Sequence, residues 1–256
     1  MLMTESSYSL EAKLVRGHEP SPSPAKATRE EAVERLATYS VGIDSPLYLH
    51  LRSLFADLEK VSIHARGRML DLGCGNKPYE KMFAGRVSEH VGCDIVQSDK
   101  RRVDVICPAT EIPLEDGTFD TVLCTQVIEH VADHRAVLAE AFRLLKGGGV
   151  LIVSAPMYWP LHEEPYDFFR FTRNGLRHLL DKIGFVNLEI INNGGKWALC
   201  GQVLIQTFVS TRLASWFLTR KVIVPSINRL FATLDEKFPN AGNPMNYVVV
   251  ARKPVA

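Results

Sequence analysis

The sequence predicts an α/β domain built on a doubly wound, mostly parallel sheet with helices on both faces. Three observations predict it. Met69-Leu70-Asp71-Leu72 is a short apolar run that breaks at once into Gly73-Cys74-Gly75, the form of a buried strand followed by a tight turn. Val150-Leu151-Ile152-Val153-Ser154-Ala155-Pro156 is a second, continuous apolar run, as expected of a strand covered on both faces. Between them Val137, Leu138, Ala141, Leu144 and Leu145 recur at helical spacing, so strand and helix alternate as parallel crossovers require.

The composition bounds the class. A chain of 256 residues, 46% hydrophobic and 23% charged, is long enough for one large domain with an appendage. Its net charge of +1 gives no overall pull toward nucleic acid or anionic lipid. Five cysteines are present without a Cys-x-x-Cys pair, which predicts reduced core thiols rather than zinc ligands or disulfides. No metal site is expected. The first residues, with Glu5 and Glu11 and no apolar segment, do not resemble a secretory signal, and a soluble cytoplasmic protein is the expectation.

Taken in order, residues 1–27 are polar and end in Glu19-Pro20-Ser21-Pro22-Ser23-Pro24, which forbids a helix and predicts a flexible, extended tether. Leader helices are expected over 28–66. Thr28 is placed to cap the first, with Glu30 and Glu31 in its first turn. Ser45 to Lys60 forms the second, its stripe of Leu47, Leu51, Leu54, Phe55 and Leu58 facing the sheet.

The turn after the first strand narrows the ligand. Gly73 and Gly75 let the backbone bend sharply and approach a ligand closely, and Pro78 suits the first turn of a following helix. A dinucleotide site wants a third glycine in Gly-x-Gly-x-x-Gly, and Pro78 stands in that place. Asp71, inside the turn, suits a ligand that carries an ammonium group. A plain tight loop is the bland alternative. With Asp71 before Gly73-Cys74-Gly75, the stretch resembles the first motif of class I S-adenosylmethionine-dependent methyltransferases, of the type 11 kind. The resemblance implies a seven-stranded, Rossmann-like sheet and S-adenosyl-L-methionine as cofactor.

The next strand, His90 to Ile95, ends in Asp94, where a carboxylate can accept hydrogen bonds from both ribose hydroxyls. The segment from Val96 to Arg102 is too short for a crossover helix before a strand at Val103–Ile106, so either that helix is lost or the strand lies elsewhere. Lys100, Arg101 and Arg102 have no interleaved aromatics and read as a solvated face rather than a nucleic-acid patch.

Ala109 to Asp120 contains the turn Asp116-Gly117 and leads into a strand at Thr121–Cys124. It resembles the family's passage from the adenine pocket to the fourth strand. Where relatives often carry an Asp for the adenine amino group, this chain has Pro108 or Cys107, so adenine is expected to meet backbone groups or apolar surface. Thr125-Gln126-Val127-Ile128-Glu129-His130 resembles the segment beside the cofactor's methionine portion. The helix after it is expected to stop at Lys146-Gly147-Gly148-Gly149.

Met157 to Thr172 follows the fifth strand and gathers His162, Glu163, Tyr158, Tyr166, Asp167 and Arg170. It resembles a segment of methyltransferases associated with sugar and cell-envelope pathways. For a hydroxyl acceptor His162 is the preferred general base, with Glu163 or Asp167 orienting it, and Tyr158, Tyr166 and Arg170 are expected beside the acceptor. A simple Asp167–Arg170 pair holding the loop is the structural alternative, and His130 reads as a shaping residue ahead of a base. Thr172 caps a helix Arg173–Ile183 that Gly184 ends, before a strand Phe185–Ile191.

An insertion over 197–240 separates the core, 67–196, from the final strand in 241–256. Gln202, Gln206, Arg212, Arg220 and Lys221 interrupt its apolar stretch, so no bilayer span forms. Helices over the sheet or cleft, a homodimer surface, and a peripheral membrane helix around Trp216 and Phe217 are the open readings of 197–224. Pro225 should end or bend one helix, and Ile227, Leu230, Phe231 and Leu234 suggest another.

The function expected is transfer of a methyl group from S-adenosyl-L-methionine to a hydroxyl or carboxylate of a small molecule or saccharide. Asp71, Gly73, Cys74 and Gly75 would hold the methionine end, Asp94 and Ile95 the ribose side, and Gln126, Val127 and His130 the reactive side. A catalytically silent cofactor-binding module is the alternative. A nicotinamide-dependent oxidoreductase is disfavoured by Pro78.

Overall fold

The computed structural model describes residues 39–98, 100–210, 219–240 and 242–255. The expected tether, the helix from Thr28 and the segment around Trp216 and Phe217 lie outside the described residues.

Seven strands form one sheet: β1 (Gly67–Leu72), β2 (Val87–Asp94), β3 (Val105–Ile106), β4 (Phe119–Thr125), β5 (Leu145–Pro156), β6 (Val186–Asn193) and β7 (Asn246–Arg252), in the order β3-β2-β1-β4-β5-β7-β6. The first five pair in parallel. β7 runs antiparallel between β5 and β6, so the mostly parallel sheet is a mixed one with a single reversed strand. The chain moves outward from β1 to β3 and then returns to β4 on the other side of β1. That reversal opens a crevice beyond the carboxyl ends of β1 and β4, where ligands of doubly wound sheets bind. Leu72 is in register with both Cys93 and Cys124, so Gly73, Asp94 and Thr125 leave the sheet along one edge.

Helix α1 (Tyr48–Val61) packs Leu51, Leu54, Phe55 and Leu58 against Met69, Leu123, Val150 and Ile152 of the sheet, as the apolar stripe predicts. Leu47 lies outside this helix and is exposed. The turn after β1 is followed by a helix of only four residues, α2 (Glu80–Phe83), shorter than the turn signals imply. The link from β2 to β3 carries no helix among its described residues, and β3 has two residues, two fewer than expected at its start. Its brevity follows from the short connection: β3 is an edge strand with little to span.

Helix α3 (His134–Leu144) starts at Asp133, whose side chain accepts the Ala136 N–H at 3.0 Å. It stops at Leu144 rather than at the glycine run, and Lys146 to Gly149 belong to β5. The last carbonyls are satisfied across the fold instead: Gly117 N–H donates to Arg143 O, Thr118 N–H to Leu144 O, and Lys253 Nζ to Leu145 O. Local stop signals lose to long-range partners here. Helix α4 (Arg173–Ile183) follows the expectation closely: Thr172 Oγ1 accepts the Gly175 N–H, and Gly184 ends the helix at φ 112°.

Helices α5 (Lys196–Ser210) and α6 (Val224–Lys237) pack with Leu49 of α1 around Ala198, Ile205, Val224, Ala232 and Met245. Gln202 Nε2 donates to Pro46 O, and Asn228 Nδ2 to Ile43 O and Ser45 O, so the insertion holds the segment leading into α1. Pro225 lies in the first turn of α6, just past a π-helical turn at Thr219–Ile223, as its missing N–H requires. Among the described residues no helix is long and apolar enough to cross a membrane.

Candidate active site

The turn after β1 is built by backbone. Gly73 N–H and Cys74 N–H donate to Cys93 O at 2.9 and 3.1 Å, and Gly75 N–H donates to Asp94 Oδ2 at 3.0 Å. Gly73 has φ 65° and Gly75 φ 49°, a left-handed conformation that a Cβ disfavours. A Cβ on Gly73 would lie 2.5 Å from Val127 Cγ2, so the loops after β1 and β4 touch with no space for a side chain. Asp71 is buried beneath the turn, its Oδ2 3.0 Å from His90 Nε2.

The loop after β4 turns at Gln126, whose φ is 53° and whose amide donates to Ser154 Oγ at 3.0 Å. Ile128–His130 then makes a short 3-10 turn. Phe168 N–H and Phe169 N–H donate to Glu129 O, and His130 Nδ1 is 3.0 Å from Tyr166 O. These bonds draw the segment after β5 onto the exit of β4. They bring the His130 and His162 rings to 4.7 Å between centroids, edge to face.

Arg170 forms a two-point ion pair with Asp167, at 2.6 and 2.7 Å. It also donates to Trp159 O, Pro160 O and Phe169 O. Asp167 Oδ2 accepts the His162 N–H at 3.0 Å and lies 3.2 Å from His162 Nδ1. Hydrogen bonds from Arg170 hold the Asp167 carboxyl down at about 2. From α1, His50 stacks on Trp159 at 4.2 Å and accepts from Asn246 Nδ2 at 3.3 Å. Burial, with His162 nearby, pushes its imidazole down to about 4. Burial also lowers His130 and pushes the Glu129 carboxyl up to about 8. Neither side-chain oxygen of Glu129 has a hydrogen-bond partner.

One cleft of about 570 Å³ joins these parts. At one end it is lined by Asp71, Gly73, Cys74, Gly75, Asp94 and Ile95, and in the middle by Gln126, Val127 and His130. At the other end stand Trp159, His162, Glu163, Tyr166 and Phe168. Cys107, Pro108 and Ala109 also line it, offering apolar surface and backbone where an adenine-binding acid was missing from the sequence. Tyr158, Asp167 and Arg170, expected at the site, are not among the lining residues. Asp167 and Arg170 are committed to each other and to loop carbonyls, and Tyr158 is exposed. The pairing alternative describes the Asp167–Arg170 geometry.

His50, Tyr79 and Trp159 line the cleft without having been singled out. His50 sits beside Leu51 in the helical stripe, so periodicity marks its face as core and hides its second neighbour, the cleft. Glu129 lies within the Gln126–His130 segment but is fully buried behind the lining.

Residues 70–153 match the family model described as a methyltransferase domain. A probable S-adenosylmethionine-dependent methyltransferase of Mycolicibacterium smegmatis is 30% identical over 143 residues, covering 50% of this chain and 55% of that protein. A ubiquinone biosynthesis O-methyltransferase of Psychrobacter cryohalolentis is 28% identical over 102 residues, 34% of this chain and 40% of that one. The chain thus spans about half the length, or less, of these curated relatives. The crystal structure of a SAM-dependent methyltransferase from Archaeoglobus fulgidus aligns with a TM-score of 0.52 at 18% identity, covering 80% of this chain and 94% of that one.

Proposed function

Because the chain carries a class I S-adenosylmethionine-dependent methyltransferase domain, we propose that it moves the cofactor's methyl group to an oxygen of a small-molecule or saccharide acceptor. The observation that carries this is the shared cleft: the glycine turn with its two acids opens into the same space as His130, His162 and Glu163. Asp94 accepts the ribose hydroxyls. Asp71, Gly73, Cys74 and Gly75 surround the methionine end, and the adenine lies on Ile95, Cys107 and Pro108.

The cofactor supplies the electrophile, and the sulfonium is displaced in line. The chain's task is alignment, which is worth roughly 7–11 kcal/mol in well-oriented systems. Trp159, Tyr166 and Phe168 give a saccharide or another flat, partly apolar acceptor a surface to lie on. The imidazoles of His130 and His162 engage the acceptor hydroxyl, with Asp167 orienting His162. Removing that proton in the transition state contributes roughly a hundred- to ten-thousand-fold. Relatives named as an O-methyltransferase and as a C-methyltransferase are equally similar, so the oxygen acceptor rests on the imidazoles in the cleft.

Incubation of the purified chain with methyl-tritiated cofactor and a panel of saccharides and small hydroxylated or carboxylated molecules tests this. Label in a small-molecule fraction, with S-adenosylhomocysteine formed in equal amount, is the expected result. Label confined to protein or nucleic acid overturns the acceptor class. Cofactor binding without turnover across the panel favours the silent module.

A further inference from the structure

We infer that His50 is a specificity residue of the cleft, its Nε2–H donating to a second oxygen of the acceptor, next to the hydroxyl that receives the methyl group. The acceptor is thereby narrowed to molecules with two neighbouring oxygens, a vicinal diol or a hydroxy acid. This rests on the methyl-transfer reading and deepens it.

A chain of polar side chains sets the imidazole. His50 and Asp57 lie seven residues apart, two turns along one face of α1. Asn193 ends β6 and Asn246 starts β7, and the two are in register. Asp57 Oδ1 pairs with Lys60 Nζ at 2.8 Å, and its Oδ2 accepts from Asn193 Nδ2, also at 2.8 Å. Asn246 Nδ2 donates to Asn193 Oδ1 at 2.9 Å and to His50 Nδ1 at 3.3 Å. Both asparagines are fully buried.

The carboxylate at the head of this chain dictates every orientation in it. An ionised carboxylate only accepts, so Asn193 turns its amide nitrogen to Asp57 and its oxygen to Asn246. Asn246 must then present its nitrogen, because two amide oxygens would repel, and the second hydrogen of that nitrogen serves His50 Nδ1. Nδ1 therefore carries the lone pair, and the hydrogen is on Nε2. Burial keeps the imidazole uncharged near neutral pH.

The neighbouring imidazoles are set the other way. His130 Nδ1 lies 3.0 Å from Tyr166 O, and His162 Nδ1 lies 3.2 Å from both Pro160 O and Asp167 Oδ2. Such partners call for a hydrogen on Nδ1 and leave a lone pair on each Nε2. The cleft, which all three histidines line, is thus offered two lone pairs and one N–H. A hydroxyl that gives its proton to His130 or His162 answers the lone pairs. On that same oxygen the His50 N–H would hold back the electron pair that attacks the methyl group; on a neighbouring oxygen it positions the acceptor without that cost. Stacking on Trp159 at 4.2 Å, with Trp159 O held by Arg170 Nε, fixes the ring. A phenylalanine could fill the stack, but only the histidine brings the N–H.

The test uses the full chain with ¹⁵N-labelled histidine and bound S-adenosylhomocysteine, read by long-range ¹⁵N–¹H NMR at pH 7, with His50 assigned by its loss in His50→Gln. The probes are matched: trans-1,2-cyclohexanediol against cyclohexanol, and catechol and salicylate against phenol. The expected result is a neutral Nε2–H tautomer whose Nε2 signal moves with the two-oxygen probes and not with their one-oxygen partners. Response to the diols alone assigns a diol acceptor, and response to salicylate alone a hydroxy acid. An Nδ1–H tautomer, an equal response within each match, or no response to any probe overturns the proposal. With methyl-tritiated cofactor, kcat/KM for the two-oxygen probes should exceed that of their partners by at least about tenfold. His50→Phe should bring that ratio to about one, and His50→Gln, whose amide restores a donor, should recover part of it. A merely structural His50 would lower both members alike and leave the ratio unchanged, which also overturns the proposal. Should S-adenosylhomocysteine form with no acceptor at all, the methyl-transfer reading fails, and the NMR comparison still decides the part of His50.

Discussion

The Asp94 carboxylate accepts the Gly75 N–H at 3.0 Å, tying the end of the second strand to the turn that follows the first. Its other oxygen accepts the Ile95 N–H at 2.7 Å. One side chain thus shapes the turn and faces the cleft. Asp94→Ala should weaken S-adenosylhomocysteine binding about 10- to 100-fold, since hydrogen bonds to a charged group are worth about 1.5–3 kcal/mol. Isothermal titration checks it, and unchanged affinity would show that the carboxylate does not meet the ribose.

Gly73 is where two loops meet. A Cβ there adds left-handed strain of about 1–2 kcal/mol to a 2.5 Å approach to Val127 Cγ2. Gly73→Ala should therefore bind cofactor at least tenfold more weakly and unfold several degrees lower, at about 2–4 °C per kcal/mol for a chain of this size. Calorimetry and thermal melts report the two effects, and a variant unaffected in both contradicts the contact.

The Asp167–Arg170 pair holds the His162 loop rather than touching the cleft. Asp167→Asn removes the charge that anchors Arg170 and should cost about 2–3 kcal/mol of stability, less than a fully buried pair because Arg170 is partly exposed. Acceptor kcat/KM should fall about 10- to 100-fold while S-adenosylhomocysteine affinity stays within about twofold. Steady-state kinetics beside calorimetry separates this from a global defect, in which both would fall together.

Burial lowers His50 to about 4, against about 6.5 in an unfolded chain. Between those values the unfolded state binds more protons, so stability falls as pH drops from about 6.5 toward 4. The loss attributable to His50 is about 3 kcal/mol at most. Urea unfolding of the wild type and His50→Gln at pH 7 and near pH 4.5 should show the gap between them shrinking at the lower pH. A constant gap would mean that His50 binds its proton equally in the folded and unfolded states, contradicting the lowering by burial.

Much of the cofactor half was legible because its signals are local. A glycine pair after an apolar run dictates a turn, and Asp94 ends its strand for reasons contained in a few neighbouring residues. Thr172 and Gly184 bound their helix for the same reason. The helix before the fifth strand misleads because its carbonyls are capped by Gly117, Thr118 and Lys253 from elsewhere in the chain. The place of His50 at the cleft was hidden because periodicity reports which face is buried and not what it is buried against.

The sequence by itself determined the alternating strands and helices, the glycine turn and the acids on either side of it, since each depends on backbone preferences and burial patterns within short stretches. Only the tertiary structure decided that His130 and His162 meet, that Arg170 serves its own loop, and that Glu129 lies fully buried beside His130. The first of these joins residues 32 positions apart, and it exists only because the segments after β4 and β5 meet at a single edge of the sheet.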